Sequence, residues 1–193
     1  MGYTKSDFIY RFRHDLPSVL CKQLEDLIHS TPFPTDSHHH PLCNKEIEAL
    51  LLSHSPIERI WSGPAFRFPE HIALKTNAVK IDKSNTYLLK FGFLDWIPEL
   101  DFIQPCLAII ADGHAVSVCQ SVRKSPLAEE AGIDTLDAYR GNGYAPLAVI
   151  GWAQSVREKG KIPLYSTSWE NRASQRVAQK LGLIQYGVNY HIT

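Results

Sequence analysis

A glycine-rich segment carries the clearest chemical signal in the sequence: Arg140-Gly141-Asn142-Gly143-Tyr144-Ala145, between a predicted strand and a predicted helix. Glycines allow a tight turn and keep side chains away from an approaching ligand. The free N–H groups in the first turn of a helix, with the positive end of the helix dipole behind them, favour anions. Arg140 adds a guanidinium that can neutralise phosphate charge. The segment therefore predicts a phosphate-binding loop, although two glycines at this spacing by themselves also fit a simple turn.

The spacing excludes two common phosphate-binding motifs. The segment lacks the G-x-x-x-x-G-K-[ST] pattern of a P-loop, and Pro146 stands where the G-x-G-x-x-G dinucleotide motif requires its third glycine. Proline is tolerated at that position because its missing N–H falls in the first helical turn.

The elements that must position this loop are predicted from hydrophobic periodicity. The Asp112-Gly113 pair predicts a hairpin turn, and Gly182 predicts the end of a helix. In order, the predicted elements are strands 105–111, 115–122 and 130–135, helix 143–159, strand 162–167, helix 171–181 and two short strands within 183–192. Because a helix joins strands 130–135 and 162–167, these two strands should run parallel in a mixed α/β layer. Trp152 and Tyr165 are expected in the core.

The first half of the chain gives a weaker pattern. Apolar residues at helical spacing predict a helix at 16–29, and a second helix is predicted to begin at Asn44. Short strands are predicted at 65–68, 78–81 and 87–93.

Composition restricts the class of protein. The 193 residues are 44% hydrophobic and 21% charged, which is typical of one globular domain, alone or with a helical appendage, and excludes general disorder. Twenty Lys and Arg balance twenty Asp and Glu, so the chain lacks the positive excess of a nucleic-acid-binding protein.

Cysteine usage and hydropathy predict a cytoplasmic protein without a membrane segment. No secretory signal or apolar run of spanning length is present, and the four cysteines form no C-x-x-C pair. His38, His39, His40 and Cys43 are the one cluster that resembles metal ligands, but adjacent histidines in a proline-rich loop converge poorly on one ion. We therefore expect a solvated loop and no metal.

With these elements around it, the loop resembles the R/Q-x-x-G-x-G/A motif of the GNAT acyl-CoA N-acyltransferases. The stretch from Asn171 to Leu183 is similar to the N-x-x-A/S…K-x-G-F/L helix of the same superfamily. The resemblance implies a GNAT fold of the α/β (α+β) class: a mixed, mostly antiparallel twisted sheet flanked by helices, with an N-terminal helical region. Residues 105–193 would hold acetyl-CoA, and residues 1–104 would complete the fold and shape the acceptor site.

The same resemblance implies where acetyl-CoA would bind, in a gap between two splayed parallel strands. The pantetheine would pair with the backbone like an added strand, the glycine loop would hold the pyrophosphate, and Asn171 would hydrogen-bond near the pantetheine or a catalytic water. The residues implied in cofactor binding are Ile133, Thr135, Arg140, Gly141, Asn142, Gly143, Tyr144, Ala145 and Asn171.

The resemblance further implies direct attack of an amine on the thioester, with a base and an acid but no covalent enzyme intermediate. Ala178 stands where the superfamily often has a tyrosine acid, so Ser174, one turn earlier, is the candidate acid. Glu130 is the candidate base. Glu129, which faces the other side of a strand, and Asp134 are alternatives, and both glutamates also fit solvated charges.

The sequence is compatible with alternatives for the acceptor, the oligomeric state, the function and some residue roles. The acceptor could be a small-molecule amine or a protein N-terminus, and the protein could be a monomer or a homodimer. A non-catalytic acyl-CoA-binding sensor is the alternative function, supported by Ala178. A Cys119–His114 nucleophile pair is a second alternative. The row Arg172, Arg176 and Lys180 fits either a solvated face or a contact with the 3′-phosphate of CoA.

Overall fold

The computed structural model describes residues 1–4, 6–32, 44–72 and 75–193, and these form two compact units. The first unit comprises Met1–Phe66, Ser166–Arg172 and Gln185–Thr193; the second comprises Arg67–Tyr165 and Ala173–Ile184. The predicted division at residue 104 concerns cofactor and acceptor roles rather than compactness, and it stays a prediction. The cluster of His38, His39, His40 and Cys43 lies outside the described residues.

The first unit combines two helices with a small sheet. Its elements are β1 (Gly2–Tyr3), β2 (Phe8–Ile9), α1 (Ser18–Ser30), α2 (Asn44–Leu52), and all but one end residue of β3 (Ile60–Arg67) and of β9 (Ile184–Ile192). β1 pairs antiparallel with both β2 and β9, and β9 lies beside β3. The helix predicted at 16–29 is confirmed: its residues at four-residue spacing, Leu20, Leu24 and Ile28, are buried against Ile47 and Tyr190.

The prediction of two short strands in the C-terminal tail is wrong, because β9 is one continuous strand of nine residues. Gly187 does not form a turn. A Cβ at this position would lie 2.5 Å from the Tyr3 carbonyl oxygen, so the glycine allows the close approach of β1.

The second unit is a sheet with α3 packed against β5, β6 and β7. Its elements are β4 (Val79–Lys80), β5 (Leu107–Ala111), β6 (His114–Lys124), β7 (Ala128–Thr135), α3 (Tyr144–Glu158), and all but one end residue of β8 (Ile162–Ser166) and of α4 (Arg172–Lys180). Neighbouring strands follow the order β4-β5-β6-β7-β8 and are antiparallel except for β7 and β8, which are parallel. The predicted β-α-β arrangement is therefore confirmed.

Two predicted turns occur as the sequence indicates. Asp112 and Gly113 have φ angles of 50° and 78°, as a two-residue hairpin turn with left-handed residues requires. Gly182, at φ 60°, ends α4, and the Leu183 N–H donates to the Ala178 carbonyl at 3.0 Å.

The strand predicted at 87–93 is wrong, since this segment begins as a 3₁₀ helix at Thr86–Leu89. Leu89 and Phe93 are both buried in the core with Ile81 and Val118. The Phe93 N–H donates to the Leu89 carbonyl at 3.0 Å, which gives this apolar pair a helical rather than a strand spacing.

Candidate active site

Residues 140–143 form an open turn at the N-terminus of α3. Gly141 and Gly143 have φ angles of +85° and +82°, which favour glycine. A Cβ on either residue would meet no heavy atom within 4 Å. The space around the turn is therefore open to a ligand.

The backbone of this turn can donate hydrogen bonds. The Asn142 side-chain nitrogen holds the turn by donating to the Tyr139 carbonyl at 3.2 Å. Across the described part of the second unit, no hydrogen bond is recorded from the backbone N–H of Gly141, Asn142, Gly143, Tyr144 or Ala145. Since these donors lie at the positive end of the α3 dipole, they suit an anion such as a pyrophosphate.

Arg140 is oriented by two acceptors next to this turn. Its Nε donates to the Thr135 carbonyl at 3.3 Å, and its Nη2 pairs with Asp137 Oδ1 at 2.9 Å. The guanidinium has five N–H donors in all, so it can contact a phosphate without leaving these partners.

β7 and β8 separate after a short parallel ladder. The pairs Ala128–Ile162, Glu129–Pro163 and Glu130–Leu164 are formed, and within residues 75–193 the ladder has no further pair. β7 itself continues to Thr135 and stays paired with β6 to that residue. Its other edge is therefore open beyond Glu130, where an extended ligand could add like a strand.

The backbone groups at this open edge differ in availability. The Leu136 N–H donates to the Val116 carbonyl of β6, so antiparallel alternation directs Ile133 and Thr135 away from β6. Thr135 is already engaged, since its N–H donates to Asp134 Oδ1 at 2.7 Å and its carbonyl accepts from Arg140. Ile133 is thus the better candidate for pairing with an extended ligand.

Glu129 and Glu130 occupy opposite faces of β7, and neither is freely solvated. Glu129 is 2% exposed and accepts hydrogen bonds from Ser121 Oγ at 2.6 Å and Lys161 Nζ at 2.9 Å. The Trp152 indole, buried as predicted, donates to the same Ser121 oxygen at 3.0 Å. Glu130 pairs instead with Arg123 at 3.2 Å. The expectation of a solvated charge is wrong for Glu129, which belongs to a buried network.

The buried network shifts the ionisation of Glu129. Burial by itself would raise the pKa of this carboxyl group, but hydrogen bonds from Ser121 and Lys161 and the charges of Lys159 and Lys161 together hold the pKa below its ordinary value of 4.5. The folded protein therefore favours the charged carboxylate.

We expect this network to make folding acid-sensitive. Because the folded pKa of Glu129 lies below the unfolded value, its stabilisation is complete above about pH 4.5 and is lost as the pH falls through the folded pKa. Urea midpoints measured from about pH 7 to about pH 3 should fall less steeply in Glu129→Gln than in the unmodified protein below about pH 4.5. Parallel profiles would contradict this role for Glu129.

Ser174 lies on α4 and forms a hydroxyl pair with Tyr165 of β8. The two oxygens are 2.7 Å apart, and Tyr165 is 1% exposed. Burial raises the pKa of Tyr165 to about 12, so the phenol stays protonated at neutral pH. Tyr165 is a core residue, as predicted. Its contact with Ser174 could not be predicted, because it joins two elements and no sequence pattern indicates it.

Asn171 belongs to the first unit and directly precedes α4. Its backbone N–H donates to Ser168 Oγ at 3.2 Å. Its predicted contact with acyl-CoA stays a prediction, as does a phosphate contact by the exposed Arg176 and Lys180 of α4.

The Cys119–His114 alternative is wrong. Cys119 is fully buried, and its pKa is raised well above the ordinary value, first by burial and then by the neighbouring Cys106. A thiol held protonated is a poor nucleophile. His114 Nδ1 lies 3.1 Å from the Asp112 carbonyl, at the hairpin turn.

The described residues contain neither a metal-binding cluster nor a membrane-spanning helix. In the described ranges, no group of three or more His, Cys, Asp or Glu side chains is arranged to hold a metal ion. No helix of the described part is long and apolar enough to cross a membrane.

Solved structures define the class of fold. An acetyltransferase from the GNAT family of Colwellia psychrerythraea is 13% identical, with a TM-score of 0.54 over 77% of this chain and 62% of that one. A GCN5-related N-acetyltransferase-like protein from Streptococcus suis is 17% identical, with a TM-score of 0.54 over 89% and 76% of the two chains. A GCN5-related N-acetyltransferase from Sphaerobacter thermophilus is 12% identical, with a TM-score of 0.55 over 76% and 55%. The predicted fold class, a mixed and mostly antiparallel sheet with helices, is thus confirmed as the GNAT fold.

A family model matches the second half of the sequence. Residues 106–192, a little under half of the chain, match the model described as GNAT acetyltransferase. No curated protein matches the sequence significantly. The chain spans less than two thirds of the Colwellia and Sphaerobacter proteins.

Proposed function

We propose that this chain transfers an acetyl group from acetyl-CoA to an amine, either a small molecule or a protein N-terminus. The observation that carries this proposal is the open glycine turn at the N-terminus of α3, which follows the strand whose edge opens beyond Glu130. The turn would hold the pyrophosphate through its N–H groups and Arg140, and the β7 edge at Ile133 would hold the pantetheine. The match of residues 106–192 to the GNAT acetyltransferase family model supports the same reaction class.

In the proposed reaction, acetyl-CoA supplies the thioester carbonyl that the acceptor nitrogen attacks. The Glu130 carboxylate, held by Arg123, would take the proton that the ammonium must lose before attack. A C–N bond forms as the C–S bond breaks, and the electron pair leaves on sulfur. The Ser174 hydroxyl, held by Tyr165, would donate a hydrogen bond to this thiolate.

A CoA-release assay tests the proposal directly. Acetyl-CoA is incubated with the protein and, in turn, with polyamines, free amino acids, amine-containing antibiotics and peptides with free N-termini. Release that depends on one acceptor class supports the transferase. Acetyl-CoA binding in a thermal shift, without release for any acceptor, would instead favour the sensor alternative, which the buried Ala178 at the usual acid position supports.

Ser174→Ala is expected to lower kcat about tenfold with KM for acetyl-CoA nearly unchanged, because one hydrogen bond to a developing charge is lost. Tyr165→Phe keeps the buried ring but releases the Ser174 hydroxyl, so it should lower kcat by a smaller factor. Gln179→Ala, an exposed change on the same helix, is the control. Unchanged turnover in Ser174→Ala would assign the donor role to water.

A further inference from the structure

The first unit contains a cavity whose lining includes none of the residues proposed to bind acetyl-CoA. Its volume is about 250 Å³, and all of its lining residues belong to the first unit. The inner wall is apolar and comes from α1, α2 and β9: Leu24, Ile28, Ile47, Leu51, Tyr190 and Ile192.

The volume and lining of the cavity indicate the size and the apolar character of its ligand. A cavity of about 150 Å³ lined by aliphatic and aromatic side chains can take up benzene and stays free of water. By proportion, 250 Å³ accommodates roughly ten non-hydrogen atoms. Leu24 and Ile28 are each 2% exposed, so this wall offers an apolar ligand a well-packed surface.

Two arginines, Arg11 and Arg13, line the cavity. Arg13 is paired bidentately with Asp15, with Nε–Oδ1 and Nη2–Oδ2 distances of 3.0 Å and 2.6 Å. Arg11 also lines the cavity, is exposed, and forms no recorded ion pair with any residue that the structure describes. A guanidinium at the mouth of an apolar cavity complements a carboxylate.

We propose that this cavity binds a carboxylate that carries an apolar tail of about ten non-hydrogen atoms or fewer. The tail lies against α1 and α2, and the carboxylate contacts Arg11. This ligand is inferred from the lining residues rather than from the proposed acetyl transfer, and it gives the protein a second ligand class.

Titration calorimetry with octanoate tests whether the apolar tail binds in the cavity. Leu51→Trp fills the cavity from α2. Leu52→Trp, an exposed position on the same helix outside the lining, is its matched control. Octanoate affinity should fall at least tenfold in Leu51→Trp and stay within twofold in Leu52→Trp. Ile57→Trp fills the cavity from a neighbouring loop and replaces Leu51→Trp if that variant does not fold. Acetyl-CoA binding should be unchanged in each folded variant.

The charge arm of the experiment compares octanoate with octanol and octylamine. Arg11→Gln should weaken octanoate binding about fivefold and leave octanol binding unchanged. Lys22→Gln removes the same charge from α1 outside the cavity lining, so it should change neither. Absence of octanoate binding, equal binding in the cavity-filling variants, or a preference for octylamine would overturn the proposal.

Discussion

Replacing Gly143 with glutamate is expected to abolish acetyl-CoA binding. The new carboxylate would lie beside the backbone donors at the start of α3, where the pyrophosphate is proposed to bind. Two unit charges about 4 Å apart near a protein surface repel by about 4 kcal/mol, which corresponds to a loss of affinity on the order of 10²- to 10³-fold. Calorimetry with acetyl-CoA measures this loss, and an unchanged dissociation constant would contradict the assignment of the loop.

Gly160→Glu is the matched control for this experiment. Gly160 has a φ angle of +72°, and a Cβ there would also meet no heavy atom within 4 Å. It follows the C-terminus of α3, about 25 Å from Gly143 by the helical rise of 1.5 Å per residue. Both variants force a side chain into the left-handed region of backbone angles, which costs about 1–2 kcal/mol of stability. Both should therefore have a lower melting temperature than the unmodified protein. Only Gly143→Glu should lose binding; an equal loss in both would show that the effect comes from stability or net charge.

Glu130→Gln is expected to lower kcat about 10²-fold at neutral pH, because an amide cannot take the proton of the attacking ammonium. Acetyl-CoA affinity should stay the same, since Glu130 is not among the groups proposed to hold the cofactor. Glutamine has nearly the same shape and keeps a hydrogen-bond acceptor for Arg123. Steady-state kinetics with the acceptor found in the CoA-release assay provides the measurement.

The neighbouring residue supplies the control. Glu129→Gln should leave kcat per folded molecule unchanged but lower the free energy of unfolding by about 2 kcal/mol, because Lys161 and Lys159 lose their buried counter-charge. The two variants remove the same charge from adjacent positions on one strand. Full turnover in Glu130→Gln, or lost turnover in folded Glu129→Gln, would reverse the two roles.

Much of the second unit could be predicted from its sequence, because its elements are marked locally. The strand at β5 is a continuous apolar run, the Asp112-Gly113 turn is set by two residues, and α3 carries an apolar stripe that begins after two glycines. Each of these local sequence preferences extends over only a few residues. The folded protein keeps the secondary structure they favour, because the tertiary contacts are consistent with it.

Other elements could not be predicted, because distant contacts decided them. The segment 87–93 has the aromatic and apolar content of a strand, yet Leu89 and Phe93 enter the core together through helical turns. Gly187 resembles a turn residue in the sequence, but β1 approaches it closely enough that only glycine fits. Neither the core partners nor the approach of β1 can be derived from the residues nearby.

By itself, the sequence determined the glycine loop, its place between a strand and a helix, and the match of residues 106–192 to the GNAT acetyltransferase family model. Those properties depend on backbone angles and hydrogen-bond donors within about six residues. Only the tertiary structure decided which glutamate is buried and which hydroxyl holds Ser174. Ser121 meets Trp152 and Glu129, and Tyr165 meets Ser174, across separate elements. The physical reason is that burial and hydrogen bonding depend on which segments pack together, and local spacing does not specify that packing.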